Sequence, residues 1–170
     1  LGGGGFMLNY DYKTNDLTFI DGRETAPAAA KIDMFMKKDG TVMSFMEAVP
    51  SGKSVGTPGI VSLYETAHKK YGLVPWSTLF EDAINLSKNG FTVSPRLAKY
   101  VELVEKIGRL SINSGAKEYF YPNGIKIKEG DILQNFEYAK TLSSISEQGS
   151  KVFYHGSIAK EIIKSVNKEP

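Results

Sequence analysis

The sequence contains no cysteine. That excludes a disulfide framework, a thiol nucleophile and a thiolate zinc site, without deciding between a reducing and an oxidising compartment. Histidine is scarce. His68 and His155 stand far apart, and neither has acidic or thiol neighbours at ligand spacing, so a metal centre lacks its donor set and no cofactor is expected. Both read as surface or packing residues. A dominant charge is missing too. The 21 basic and 19 acidic side chains are interspersed and leave a formal net charge of +2. This sets up no field for nucleic acid or an anionic membrane surface. No apolar run approaches the roughly 20 residues of a bilayer span. No basic-then-apolar leader opens the chain, and no internal repeat or low-complexity tract is visible.

What is present suits a packed domain. The chain has 170 residues, 41% of them hydrophobic, which argues against disorder and for one domain over 1–170. The chain opens on Leu1 rather than Met, inside a structural motif, so an upstream part is expected to exist. Gly2 to Gly5 feed the strand formers Phe6 to Tyr12. Lys13-Thr14-Asn15-Asp16 is a turn cluster, and Leu17 to Ile20 resume a strand that Asp21-Gly22 ends. Two short strands around a polar turn predict a hairpin. Large apolar groups on both faces place it inside a larger sheet, because a lone hairpin is marginal in water.

From Pro27 the reading is mainly helical to the end. A short mixed segment around Met34-Phe35-Met36 breaks at Asp39-Gly40, and Val49 to Gly59 is a Gly/Pro-punctuated loop. Apolar spacing then predicts a helix over 60–71 with Gly72 as its stop. Further helices are predicted from Pro75 to Gly90, with the proline in the first turn, and from Ser94-Pro95 through Ile107 to Gly108. Residues 119–134 change period and read as an irregular loop with short strand pieces, among them Ile125-Lys126-Ile127. Asn135 caps a helix to Gly149, and Ser150 caps the next, running to about Val166. Trp76 and the Phe/Tyr set fall on the apolar faces and read as core.

Two stretches invite a chemical reading. Gly52-Lys53-Ser54 imitates the end of a phosphate loop, but the first glycine of that motif would fall at Glu47. The glycine run precedes a strand rather than a helix, so it reads as a place where backbones pack closely. Asp21-Gly22-Arg23-Glu24 is different. An arginine fork grips a carboxylate in a bidentate way that lysine cannot reproduce, and Gly22 allows the tight turn that aims it. The flanking acids can orient Arg23 or merely neutralise it, and residue types alone favour the plain salt bridge. There is no Ser-His-Asp arrangement, so the residues by themselves describe a domain without a complete active site.

In this order the motifs resemble the large subunit of γ-glutamyltranspeptidases, also called glutathione hydrolases. LGGGGFMLNYD followed by DGRETAPAAA carries the resemblance first. Ser54 to Gly59 is similar to the family's Gly-x-Pro-Gly loop. Tyr71-Gly72 with Pro75-Trp76, Leu79, Ala83-Ile84 and Gly90-Phe91 resembles its YG-x-x-PW helix. Gly130-Asp131 with Gln134, Thr141-Leu142 and Gly149 follows, then Phe153-Tyr154, Gly156 and Ile158-Ala159. The resemblance covers essentially the whole chain.

The resemblance implies an α+β fold that is part of an N-terminal-nucleophile hydrolase, the four-layer αββα arrangement. One hairpin of the central sheet occupies 1–27 and a mainly helical region 28–170. It implies a precursor that cuts itself in two, and a threonine nucleophile at the start of a small subunit beyond Pro170. It also implies γ-glutamyl substrates such as glutathione and a periplasmic or secreted location. One family site residue maps onto this chain. Arg23 is the partner of the γ-glutamyl α-carboxylate, with Asp21 and Glu24 in support. No catalytic residue is expected here, and the chain by itself is expected to be inactive. Other readings are a β-lactam precursor acylase or poly-γ-glutamate enzyme of the same fold, or a catalytically silent binding or scaffold fragment.

Overall fold

The computed structural model describes residues 2–106, 110 and 114–168. Leu1 and the expected helix stop at Ile107-Gly108 lie outside them. The described residues form two compact units, one drawn from 1–78 and 148–169, the other from 79–147.

The first unit opens with the expected hairpin. Strand β1 (Gly5–Asp11) pairs antiparallel with β2 (Asp16–Gly22), in a register running from Gly5 opposite Gly22 to Asp11 opposite Asp16. The turn is closed by Asn15 at φ 58° and by the Tyr10 hydroxyl donating to Asn15 Oδ1 at 2.7 Å. Asparagine tolerates that left-handed conformation better than most side chains. Alternation sends Phe6, Leu8, Tyr10, Leu17 and Phe19 to one face, where all five are exposed. Met7, Asn9, Thr18 and Ile20 are half-buried on the other.

Helical structure begins in earnest later than the sequence suggests. Between Pro27 and Gly59 the backbone runs mostly in turns, with Gly40 at φ 82° and a bridge between Met36 and Val42. A four-residue helix α1 (Phe45–Ala48) carries a full capping box between Ser44 and Glu47. A single 3-10 turn follows at Gly52–Ser54. Helix α2 (Ile60–Tyr71) then forms over the expected span and ends at Gly72. It buries Val61 and Leu63. Leu63 packs on Gly22 and Ile60 on Gly5, seating the helix against the hairpin.

In the second unit, helix α3 (Glu81–Asn89) ends at Gly90, which takes φ 85°. Strand β3 (Phe91–Thr92) leads to α4 (Pro95–Lys106), whose start is capped by Ser94 Oγ accepting from the Leu97 N–H at 3.2 Å. Helix α5 (Ser114–Phe120), a 3-10 turn at Pro122–Gly124 and strand β4 (Ile132–Leu133) come next, and β4 pairs with β3. Val93, Val101, Leu110, Ile127 and Leu133 form the core. Ile125-Lys126-Ile127 is not a strand, yet its alternation survives in burial, with Ile125 exposed and Ile127 buried. Helix α6 (Phe136–Gln148) starts at Asn135, as its side chain predicts, and buries Ala139, Leu142 and Ile145.

The last helix of the sequence reading is two helices of the first unit, α7 (Lys151–His155) and α8 (Ser157–Val166). Gly156 divides them by leaving the helical region, at φ −101° and ψ −152°. The expected aromatic core is also thinner than expected. Phe153 is buried, but Trp76 is half-buried and Phe6, Phe19, Phe45 and Phe136 are exposed. Periodicity tells which residues share a face, not what covers that face.

Candidate functional site

The glycine run and the Asp-Gly-Arg-Glu turn meet the loop before α2. A Cβ on Gly4 would stand 2.6 Å from Gly22 O and 2.7 Å from both Arg23 Cα and Glu24 N. Real Cβ atoms do not approach that closely, so two backbone segments share space that only glycine leaves open. Gly3 O accepts the N–H groups of Gly59 and Ile60 at 3.2 and 3.1 Å. Thr25 and Thr57 form an antiparallel bridge. The turn is therefore fixed on both sides by backbone.

Asp21 and Glu24 take separate tasks. Asp21 Oδ1 accepts the Arg23 N–H at 2.9 Å, which closes the turn. Glu24 Oε2 lies 3.5 Å from Arg23 Nε. That oxygen is buried and has no hydrogen-bond partner, so the contact is an ion pair without an aligned hydrogen bond. The Arg23 side chain is 61% exposed against 31% for Glu24. Among the described residues no other carboxylate pairs with Arg23. The guanidinium is tethered through Nε and lies 6.0 Å from the Phe6 ring centre, measured from Cζ. Of the two readings of the sequence, the contact seen is the salt bridge with Glu24, made through one edge of the guanidinium.

Arg23 lines a cleft of about 560 Å³ with Glu24, Pro27, Met34, Phe35 and Lys53 among its walls. That volume lies within the range of small-molecule sites. The sequence points to Arg23 but gives no sign of the cleft. Met34 and Phe35 come from the turn-rich stretch, and Lys53 from the stretch that imitates the end of a phosphate loop. In the Gly52–Ser54 turn the Ser54 hydroxyl donates to Val49 O and Ser51 O. The histidines lie apart from this site. His68 Nε2 sits 2.7 Å from Val74 O and its ring packs edge-on to Trp76, while His155 is exposed in the last turn of α7. Among the described residues, no helix is long and apolar enough to cross a membrane.

The family profile for gamma-glutamyltranspeptidase matches residues 1–169, and the chain belongs to that family. The relatives agree. A glutathione hydrolase proenzyme of Bacillus subtilis is 41% identical over 98% of this chain. Glutathione hydrolase 3 of Arabidopsis thaliana is 39% identical over 99%. The chain spans about 28% of the former's length and 25% of the latter's. Among solved structures, the Helicobacter pylori gamma-glutamyltranspeptidase superposes with a TM-score of 0.89 at 34% identity, covering 99% of this chain and 47% of that one. A cephalosporin acylase from Bacillus halodurans, at 24% identity and a TM-score of 0.78, shares the fold.

Proposed function

We propose that this chain is the substrate-carboxylate part of the large subunit of a γ-glutamyltransferase and glutathione hydrolase, and that Arg23 holds the α-carboxylate of the γ-glutamyl group. The carrying observation is the state of Arg23: held in place by a backbone-locked turn, paired through one edge to Glu24, and open on a cleft. A bidentate arginine–carboxylate contact contributes about 1.5–3 kcal/mol. The fold is read as part of the αββα N-terminal-nucleophile architecture, completed by strands outside this chain and by a small subunit of the same precursor. Periplasmic or secreted placement follows the same resemblance.

The nucleophile in this reading is the N-terminal threonine of that small subunit. Its free α-amino group has a pKa of about 7.7–8.0 and acts as the base. The threonine oxygen attacks the γ-carbonyl carbon while the amine takes the hydroxyl proton. The amide C–N bond then breaks, and the proton passes to the leaving nitrogen. The resulting γ-glutamyl ester is cleaved by water or by an amino acid. This chain contributes position and charge complementarity to these steps, and by itself turns over no substrate.

The test uses the intact two-subunit enzyme with a γ-glutamyl anilide. Arg23→Lys raises KM about ten- to hundredfold, the equivalent of the lost bidentate bond. An anilide of the same chain length without the α-carboxylate is insensitive to the substitution. An unchanged KM for the first donor removes Arg23 from the site. A related donor is the second reading. A Bacillus anthracis transpeptidase is 34% identical with a TM-score of 0.72, and a donor panel that includes poly-γ-glutamate and acylated β-lactam precursors separates the two.

A further inference from the structure

The cleft that Arg23 opens on holds a second cation. Lys53 lines the same walls, although it comes from a different segment. The Thr25–Thr57 bridge draws that segment alongside the Arg23 turn. Lys53 sits in the middle of the Gly52–Ser54 turn, which is anchored from behind. Ser51 is buried and its hydroxyl donates to Ala48 O at 2.7 Å, and a Cβ on Gly52 would run into the Val166 backbone carbonyl. The lysine is therefore carried on a fixed base.

The charge balance of the cleft leaves Lys53 unneutralised. Glu24 is the acidic side chain among the lining residues, and it is engaged with Arg23. Lys37 and Lys69 each have a carboxylate at 2.7 and 2.9 Å. Lys53 has no carboxylate within ion-pair distance among the described residues. The same walls also carry the apolar side chains of Met34 and Phe35. A cleft that holds two cations and apolar wall residues fits a ligand with two anionic groups joined by an uncharged stem. A γ-glutamyl peptide has that pattern: its α-carboxylate at one end, and the C-terminal carboxylate of the amine it releases at the other. A lysine suits the second role. It is a point charge on a flexible stem, able to meet a carboxylate whose position varies with the leaving peptide.

We propose that Lys53 is a specificity residue that binds the C-terminal carboxylate of the leaving peptide, so that the enzyme prefers donors whose released amine is a carboxylate-terminated amino acid or peptide. This rests on the assignment of Arg23 to the α-carboxylate. Lys53 acts on binding rather than on bond breaking, so its effect falls on KM.

The test measures KM and kcat of the intact enzyme for three donors: a γ-glutamyl dipeptide with a free C-terminus, the same dipeptide as its C-terminal amide, and a γ-glutamyl anilide. Lys53→Met raises KM about three- to fivefold for the free acid, the size of a solvent-accessible ion pair, and leaves the amide and the anilide unchanged. Lys53→Arg restores the preference. Added salt weakens the preference of the unmodified enzyme and has no such effect on Lys53→Met. An unchanged KM for the free acid overturns the proposal, and so does an equal rise for all three donors. Arg23→Lys, run in parallel, separates the two assignments. It raises KM for every donor if Arg23 holds the α-carboxylate. A flat Arg23→Lys result removes that reading, whereas a flat Lys53→Met result beside a strong Arg23 effect removes this one alone.

Discussion

Thr25 and Thr57 exchange a pair of backbone hydrogen bonds, Thr25 N–H to Thr57 O at 3.2 Å and Thr57 N–H to Thr25 O at 2.8 Å. This short ladder joins the Arg23 turn to the loop that precedes α2, and it works because the glycines beside it allow backbone contact. Gly59 has an ordinary φ of −111°, so its constraint is space rather than dihedral angle. A Cβ there would meet the Gly22 carbonyl oxygen, and would stand 2.7 Å from Gly22 C and 2.8 Å from Arg23 O. Backbone cannot rotate away as a side chain would. Gly59→Ala is expected to destabilise by about 1–3 kcal/mol, as overpacking does, and to raise KM by moving Arg23. Urea unfolding and donor kinetics check both. Wild-type stability with wild-type KM would show that the ladder does not position the turn.

Glu24 supports Arg23 through a single 3.5 Å contact to Nε. Glu24→Gln keeps the shape and removes the charge. The guanidinium loses its tether, and KM for γ-glutamyl donors is expected to rise about two- to fivefold, the scale of one partly exposed ion pair. The change in kcat should be small, because Glu24 touches no reacting atom in this reading. A kcat collapse with constant KM would place Glu24 in the chemistry instead.

These site residues differ in how well the sequence announced them. The Arg23 turn was legible as a turn, because Asp21-Gly22 ends a strand, and the salt bridge with Glu24 is the one that residue types alone favoured. The close packing of glycine against glycine was legible from the absence of Cβ atoms. The cleft was not. Met34, Phe35 and Lys53 reach it through turns, where no 2- or 3.6-residue period marks a direction. Helix starts at Ser94-Pro95 and Asn135 could be read from their caps. The break at Gly156 could not, because a glycine inside a helical pattern is often tolerated. The aromatic faces were legible as faces, while their exposure depends on partners that periodicity does not encode.

Asn135 gives a local test of the caps. Its Oδ1 accepts the Tyr138 N–H at 2.9 Å, satisfying one of the orphan donors at the start of α6. Asn135→Ala is expected to cost about 1 kcal/mol, read as a lower urea midpoint with an unchanged slope. Asn135→Ser should recover most of the loss. A change below a few tenths of a kcal/mol would mean that water replaces the cap.

Glu65 links α2 to the turn before α7. Its carboxylate accepts the Ser150 N–H at 3.0 Å and the Ser150 hydroxyl at 2.8 Å, and pairs with the Lys69 ammonium at 2.9 Å. Lys69 first, and then the Ser150 donors, hold the carboxyl below the usual glutamate range against the opposing effect of burial. A depressed carboxylate stabilises the fold above its unfolded-state pKa of about 4.3, and that contribution is lost as pH falls through the lower folded-state value. Lys69 is 71% exposed, so its share is screened by solvent, and the Ser150 bonds are the part that persists in salt. Glu65→Gln is therefore expected to lower stability by about 1–3 kcal/mol at neutral pH, with the gap to wild type narrowing as the solution is acidified below the ordinary glutamate pKa. Urea midpoints of both proteins across that range measure the gap. A gap that stays constant with pH would show that Glu65 acts through shape alone, and a gap that vanishes in high salt at neutral pH would assign it to Lys69 rather than to Ser150.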